Sequence, residues 1–322
     1  MSELPTGDGQ PAFPPENGSG ALGVTRVESP TELRNASTTE IDTLPTLDVL
    51  TLINDEDARV PGAVRAVLPE LATAVDLAVL ALRAGHRIHY FGAGTSGRLG
   101  FMDAAELEPT FGADSEQIVA HHAGGVAALA GAVEAVEDNE DAGWRDAAEV
   151  ARDDVAIGLT ASGRTPYVAG ALRRAALAGA PTVLVSSHPA AALGGEVDVH
   201  VAPDTGAEAV AGSTRMKAGT AQKLVLNAFS TAVMVRMGRT YSNLMVSVNA
   251  INAKLRGRVV AILEEATGLD PQTCADALAR AGGDTRVALV CLLSGVSVGR
   301  AAEAVSAAGG AVREALRHIE SS

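Results

Sequence analysis

The chain has 322 residues, 47% hydrophobic and 20% charged, a balance that builds a folded core large enough for one main domain and a smaller appendage. Lysine and arginine number 25 against 39 aspartates and glutamates, a formal net charge of −14. That argues against a general nucleic-acid or anionic-membrane surface, and any anionic small ligand would have to be held by local donors. Aromatics are only 3% and glycines number 34, so the core closes with small and aliphatic side chains. Cys274 and Cys291 set up neither a disulfide framework nor a cysteine zinc cluster, and a reduced, cytoplasmic setting is expected.

Residues 1–23, rich in proline, glycine and polar groups, are expected to form a disordered extension, without the basic-then-apolar order of a secretory signal. A polar patch with Arg34 and Asn35 precedes the first helical spacing. Residues 61–84 read as one long helix, with Pro61 in its first turn and Gly85 at its end. This apolar segment carries Glu70, Asp76 and Arg83, which argues against a membrane span. "HRIHYFGA" reads as a strand. A helix then runs from Gly97 toward Glu106 and is stopped by Pro109 with Gly112. "EQIVAH" is a second strand and 126–137 a helix. "DVAIGLTASGRTP" repeats the strand-to-turn pattern, 167–178 is helical, and "PTVLVSS" and "VDVHVAP" are further strands. Strands alternating with helices predict an α/β fold with a mostly parallel sheet covered on both faces. From 213 onward the pattern turns to long helices, "STRMKAGTAQKLVLNAFSTAVMVRMG" and "NLMVSVNAINAKLRGRVVAILEEATG". Three or four short amphipathic helices follow Pro271. The expected division is 1–23 extension, 24–265 main domain with an N-terminal helical arm, and 266–322 small helical domain.

Two loops share one chemistry. "GAGTSG" places Thr95 and Ser96 among Gly92, Gly94 and Gly97; "TASGRTP" places Ser162, Gly163 and Thr165 in the same position after a later strand. Backbone N–H groups at such turns, helix N-termini and nearby hydroxyls together cradle phosphate. In a parallel sheet both loops emerge at the C-terminal strand edges and can converge on one ligand. Each glycine alone is explained by a tight turn, and each hydroxyl by helix capping. Their joint appearance favours a sugar phosphate. The glycine spacing also fits a dinucleotide turn, but that reading wants an acidic residue at the end of the second strand. That strand ends in Ala120, His121 and His122, with Glu116 at the wrong end.

Carboxylates supply the remaining chemistry. "DAAELEP" carries Asp103, Glu106 and Glu108; "AVEAVEDNED" carries Glu134 and Glu137, three apart and on one face if that helix continues. For any single glutamate a solvated helical face is the bland reading. Glu106 is sharper, lying one short helix beyond the glycine loop amid Ala, Leu and Met. Two carboxylates in unlike environments can divide acid and base roles. The histidines show no metal-ligand spacing, and His121 and His122 would point to opposite sides of a strand. No G-x-S-x-G elbow exists, and Ser162 sits in "ASG". Arg98, Arg164, Arg215 and Lys217 are basic groups within reach of an anion. The Gly/Ser/Thr company of Arg215 and Lys217 suggests a ligand-facing helix start.

"TELRNASTTEIDTLPTLDVL", "YFGAGTSGRLGFMDAAELEPTFG", "AVEAVEDNED", "ASGRTPYV", "GSTRMKAGTAQKLVLNAFST" and "SNLMVSVNAINAKLR" together closely resemble the N-acetylmuramic acid 6-phosphate etherase family of bacteria, from about residue 25 to the C-terminus. These motifs are long and ordered, unlike the glycine pattern alone. The resemblance implies a sugar isomerase (SIS) type three-layer αβα sandwich with a small, UBA-like C-terminal helical domain, similar to the glucokinase regulatory proteins of animals. It implies cleavage of the C3 D-lactyl ether to give N-acetylglucosamine 6-phosphate and D-lactate, with no metal or nucleotide cofactor. The family's proton-donating glutamate falls on Glu106 and its second essential glutamate on Glu137. Gly94, Thr95, Ser96, Ser162, Gly163, Thr165, Arg215 and Lys217 are the expected substrate and phosphate contacts. Leu107 and Glu108 stand where a Cys-Pro pair is common, a change at the helix end that leaves the acid in place. The resemblance also implies a homodimer with its site completed at the subunit interface. The contrasting reading is a non-catalytic sugar-phosphate-sensing regulatory protein on the same fold, which would need the loops but not both glutamates. An aldose–ketose isomerase is a third.

Overall fold

The computed structural model describes residues 29–131, 133, 135–247 and 253–321. The expected N-terminal extension lies outside the described residues, as does Glu134. Three short 3-10 turns precede α1 (Thr46–Asp57), α2 (Val60–Ala66) and α3 (Leu68–Arg83). The single helix expected over 61–84 is therefore two. Val67 leaves helical geometry (φ −109°, ψ 15°) and Pro69, which has no N–H to continue the α2 ladder, opens the next helix.

The central sheet is β1 (Ile88–Gly92), β2 (Ile118–His122), β3 (Val155–Leu159), β4 (Thr182–Val185) and β5 (Val199–Val201). Its order is β2-β1-β3-β4-β5, and every pairing is parallel. Between the strands run α4 (Gly94–Phe111), the short α5 (Ala127–Ala130), α6 (Glu140–Asp146) and α7 (Pro166–Ala178). The strands alternate sides as a pleated sheet must. Ile88, Tyr90, Ile157 and Val183 face one apolar layer with α3, α4 and the later α8 (Lys217–Arg236). Phe91, Ala156 and Leu184 face a second layer with α7, centred on Tyr167, Val168 and Leu172. Helices on both faces of a parallel sheet make the three-layer α/β sandwich expected from the alternation.

Several local expectations shift. The glycine-loop helix starts at Gly94 and runs through Pro109 to Phe111; Gly112, left-handed at φ 58°, ends it alone. Among the described residues of 126–137 only α5 is helical; Ala135 takes a positive φ of 60° and Glu137 lies in a turn. Residues 214–216 form a turn ahead of α8. The following stretch is no single helix: β6 (Thr240–Tyr241) pairs antiparallel with β7 (Leu244–Met245) before α9 (Ala253–Thr267). The end of the chain is α10 (Pro271–Arg280), α11 (Thr285–Ser294), α12 (Val298–Ala307) and α13 (Val312–Glu320). Asp270, Asp284 and Ser297 accept backbone N–H groups at the starts of α10, α11 and α12. A separate apolar cluster joins Val259 and Leu263 of α9 to Leu278, Leu289, Val305 and Val312, with Tyr241 and Met245 of the hairpin against it. Among the described residues no single helix is long and apolar enough to cross a membrane.

Candidate active site

The glycines of the first loop have separate tasks. A Cβ on Gly92 would lie 2.8 Å from the backbone of Gly97, and one on Gly97 would lie 2.6 Å from the carbonyl oxygen of Gly92. Strand and helix thus touch backbone to backbone, which only glycine permits. Gly94 has open space where a Cβ would be but a φ of 54°, so there the requirement is the left-handed conformation. The result sets Thr95 and Ser96 in the first turn of α4, with no acidic residue in that turn.

The second loop emerges beside it, because β1 and β3 are neighbours with Gly92 opposite Leu159. Thr160 organises it. Its Oγ1 lies 2.7 Å from Thr165 Oγ1 and 3.5 Å from Ser162 Oγ, and accepts the Gly163 N–H at 3.3 Å. Thr165 occupies the N-cap of α7, yet its hydroxyl does not cap that helix, which begins at Pro166. Capping therefore does not explain Thr165. The first turns of α4 and α7 border one space, with their partial positive charge beside it, although the Tyr167 N–H of α7 is already taken by the Glu137 carbonyl oxygen.

That space is a cleft of about 740 Å³ lined by Gly94, Thr95, Ser96, Ser162, Thr165 and Glu137, with Glu32, Asp138, Thr160, Arg164 and Thr214 completing its wall. The lining combines hydroxyls and helix N-termini with the carboxylates of Glu32, Glu137 and Asp138. Glu137 is held by its backbone: its carbonyl oxygen accepts the Tyr167 N–H at 3.0 Å in the first turn of α7. Asn139 then caps α6 by accepting the Ala142 N–H. That helix presses on α7 so closely that a Cβ on Gly143 would lie 1.8 Å from the Tyr167 carbonyl oxygen, and one on Gly170 2.1 Å from that of Glu140.

The other expected contacts sit elsewhere. Glu106 is exposed on α4, beyond the cleft lining, about 17 Å along the helix axis from Thr95 at 1.5 Å rise per residue. Gly163 is buried at φ 70°, with its N–H used by Thr160. Arg98 donates to the carbonyls of Ala128, Leu129 and Gly131, tying α4 to the α5 segment. Arg215 is exposed and outside the lining. Lys217 is buried and its ammonium is bound by Glu56. Its own N–H and that of Ala218 donate at 2.9 Å to the fully buried Glu208. The α8 N-terminus is thus already occupied by a carboxylate of this chain, unlike those of α4 and α7.

Sequence reasoning passed over Glu32, Thr160, Thr214, Glu56 and Glu208, while Asp138 is one of the carboxylates of "AVEAVEDNED". Glu32 and Thr214 come from segments far apart in the chain, and Gly212, whose Cβ would lie 3.0 Å from Glu32, brings them together. Thr160 was legible, being the first hydroxyl of "TASGRT". Burial pushes Glu208 upward against its backbone hydrogen bonds. For Glu56 burial works the same way, but hydrogen bonds from Lys217 and Asn35 and the charges of Lys217 and Arg59 lower it on balance.

His121 and His122 do point to opposite sides. His122 packs against Gly97, and His121 stacks on Phe91 at 4.4 Å. His89, His121 and Glu149 bring ligand-type atoms within 4.8 Å of one another, from two strands and a turn where no spacing pattern could reveal it. The His89 and His121 ring nitrogens lie 3.1 Å apart with centroids at 5.4 Å, within hydrogen-bonding distance of each other. Burial holds both imidazoles neutral by lowering them, His121 to about 4.

Fold and cleft define the class as an SIS-type α/β protein with two hydroxyl-bearing loops lining one cleft. In agreement, the family model of the glucokinase regulatory protein N-terminal SIS domain matches residues 70–176. A protein of Thermobifida fusca (strain YX) named N-acetylmuramic acid 6-phosphate etherase is 69% identical over 268 residues, 83% of this chain and 88% of that one. A protein of the same name from Yersinia pestis (strain Pestoides F) is 48% identical over 287 residues, 88% of this chain and 97% of that one. The chain belongs to the N-acetylmuramic acid 6-phosphate etherase family.

Proposed function

We propose that the chain cleaves the C3 D-lactyl ether of N-acetylmuramic acid 6-phosphate as a carbon–oxygen lyase, giving N-acetylglucosamine 6-phosphate and D-lactate in cytoplasmic amino-sugar catabolism. The observation that carries this reading is the convergence of Glu137 with both hydroxyl loops in one cleft. Thr95, Ser96, Ser162 and Thr165, with the α4 and α7 N-termini, anchor the 6-phosphate and so orient the far end of the sugar. In the open-chain form the C1 aldehyde acidifies the C2 proton. Glu137 takes that proton, Glu106 protonates the departing lactyl oxygen at C3, and an unsaturated aldehyde is left. Water then adds at C3 and a proton returns to C2, the two carboxyl groups reversing roles.

Within one protomer Glu106 is too far along α4 to reach a sugar anchored at Thr95. The reading therefore needs a second copy of the chain, whose Glu106 enters this cleft in a homodimer. Phe101 and Met102, exposed on the same helix, support a contact there. Lactate release from N-acetylmuramic acid 6-phosphate tests the activity. Glu137→Gln should lose turnover while retaining phosphate-dependent binding; a variant that releases lactate normally overturns its role. Binding without any lactate release by the wild-type protein would instead indicate the sensing protein.

A further inference from the structure

A second cleft, of about 880 Å³, lies between the sandwich and the C-terminal bundle. Its floor is made where Gly238, at φ 75°, meets Ala311 so closely that a Cβ would lie 2.4 Å from the alanine side chain. Arg83 at the end of α3, Arg236 at the end of α8, Arg239 beyond it, and Arg313 and Arg317 on α13 line it, against Glu314 alone among acidic residues in the lining. Such a concentration stands out in a chain of net charge −14.

Local partners account for part of it. Arg83 donates to the Arg236 carbonyl oxygen, Arg236 pairs with Asp76, Arg317 pairs with Glu314, and Arg313 lies over the Tyr241 ring at 4.9 Å. Helix C-termini also attract cations. Neither reason covers Arg239. It is half-buried, no carboxylate pairs with it among the described residues, and its charged form is disfavoured first by burial and then by the charge of another guanidinium, Arg286, already held by Asp284. A half-buried cation beside a second cation is costly unless an anion completes it. Guanidinium forks match phosphate oxygens in two-point contacts, and several of them in one cleft suit more than one charge.

We propose that this interdomain cleft is a second anion site, taking a multiply charged phosphate compound through Arg239 of the sandwich and Arg313 of α13. By spanning sandwich and bundle, the bound anion fastens one to the other. The site is separate from the catalytic cleft, which holds its phosphate with hydroxyls and helix N-termini.

Inorganic pyrophosphate, titrated calorimetrically into the full chain at constant ionic strength, tests this. The wild type should show a binding event that survives Thr165→Val, a change in the catalytic cleft, and weakens at least tenfold in Arg239→Gln and in Arg313→Gln. Arg313 is exposed, so its variant stays folded even if Arg239→Gln does not, and Arg239→Lys should retain part of the affinity. The proposal is overturned if no binding survives Thr165→Val, or if Arg313→Gln binds pyrophosphate as the wild type does.

Discussion

Thr95 and Glu106 ride on the same helix, one in its first turn facing the cleft and the other exposed well along it. A rigid α4 keeps them about 17 Å apart at the rise of an α-helix, which no hexose phosphate bridges. If the active site is shared between two copies, Glu106→Gln and Glu137→Gln damage different halves of it. Mixing the two inactive variants under conditions that exchange subunits should restore about a quarter of wild-type lactate release, since half the dimers are mixed and each holds one intact site. A mixture as dead as its components refutes the shared site.

The phosphate end can be weakened without touching the carboxylates. Thr165→Val keeps the shape of the side chain and removes the hydroxyl that faces the cleft beside Thr160. A hydrogen bond to a charged group contributes roughly 1.5–3 kcal/mol, so kcat/KM should fall by about 10- to 100-fold, mostly through KM. An unchanged KM would remove Thr165 from the phosphate contacts.

Glu137 depends on a contact it does not make itself. Gly143→Ala drives a methyl into the Tyr167 carbonyl oxygen, and α6 must separate from α7. Backbone cannot yield as a side chain does, and a loss of about 3 kcal/mol is expected, near the top of the usual overpacking range. Because Glu137 is bonded to Tyr167, kcat should fall together with the melting temperature. A fall in stability with kcat intact would show that the turn holds its shape without that contact.

Asp103 sets a pH dependence of stability. Its carboxylate accepts from Tyr90 and Ser230, but burial outweighs both and raises it to about 6. Between about pH 4 and 6 the folded chain keeps a proton that the unfolded chain has released, so stability falls as pH rises through that window and is level above it. Asp103→Asn lacks this proton. Denaturant unfolding should therefore show the stability difference moving in the variant's favour by about 2 kcal/mol from pH 4 to pH 7. Parallel curves for the two proteins would contradict it.

Legibility in the sequence followed distance along the chain. "HRIHYFGA", "DVAIGL" and "PTVLV" read as strands because short apolar runs bounded by turn residues leave few other solutions. Ser162 and Thr165 were legible with their loop. The break at Val67, the hairpin at Thr240–Tyr241 and the shortened α5 were not, since tertiary packing decides them against local propensity. Lys217 reads as a ligand-facing cation beside Ser213 and Thr214. Only folding brings Glu56, from α1, to its ammonium and Glu208 to its backbone.

By itself, then, the sequence determined the alternating α/β plan, the two hydroxyl loops and the family, because each is written in residues adjacent or evenly spaced along the chain. The tertiary structure decided which groups share a space. It placed Glu137 in the cleft through the contact of α6 with α7, left Glu106 outside the cleft on a rigid helix, and buried Lys217 with Glu56. It also gathered arginines from three helices and a turn around one interdomain cleft. Those outcomes depend on backbone approaches at Gly92, Gly143 and Gly238, where the absence of a Cβ lets distant segments meet.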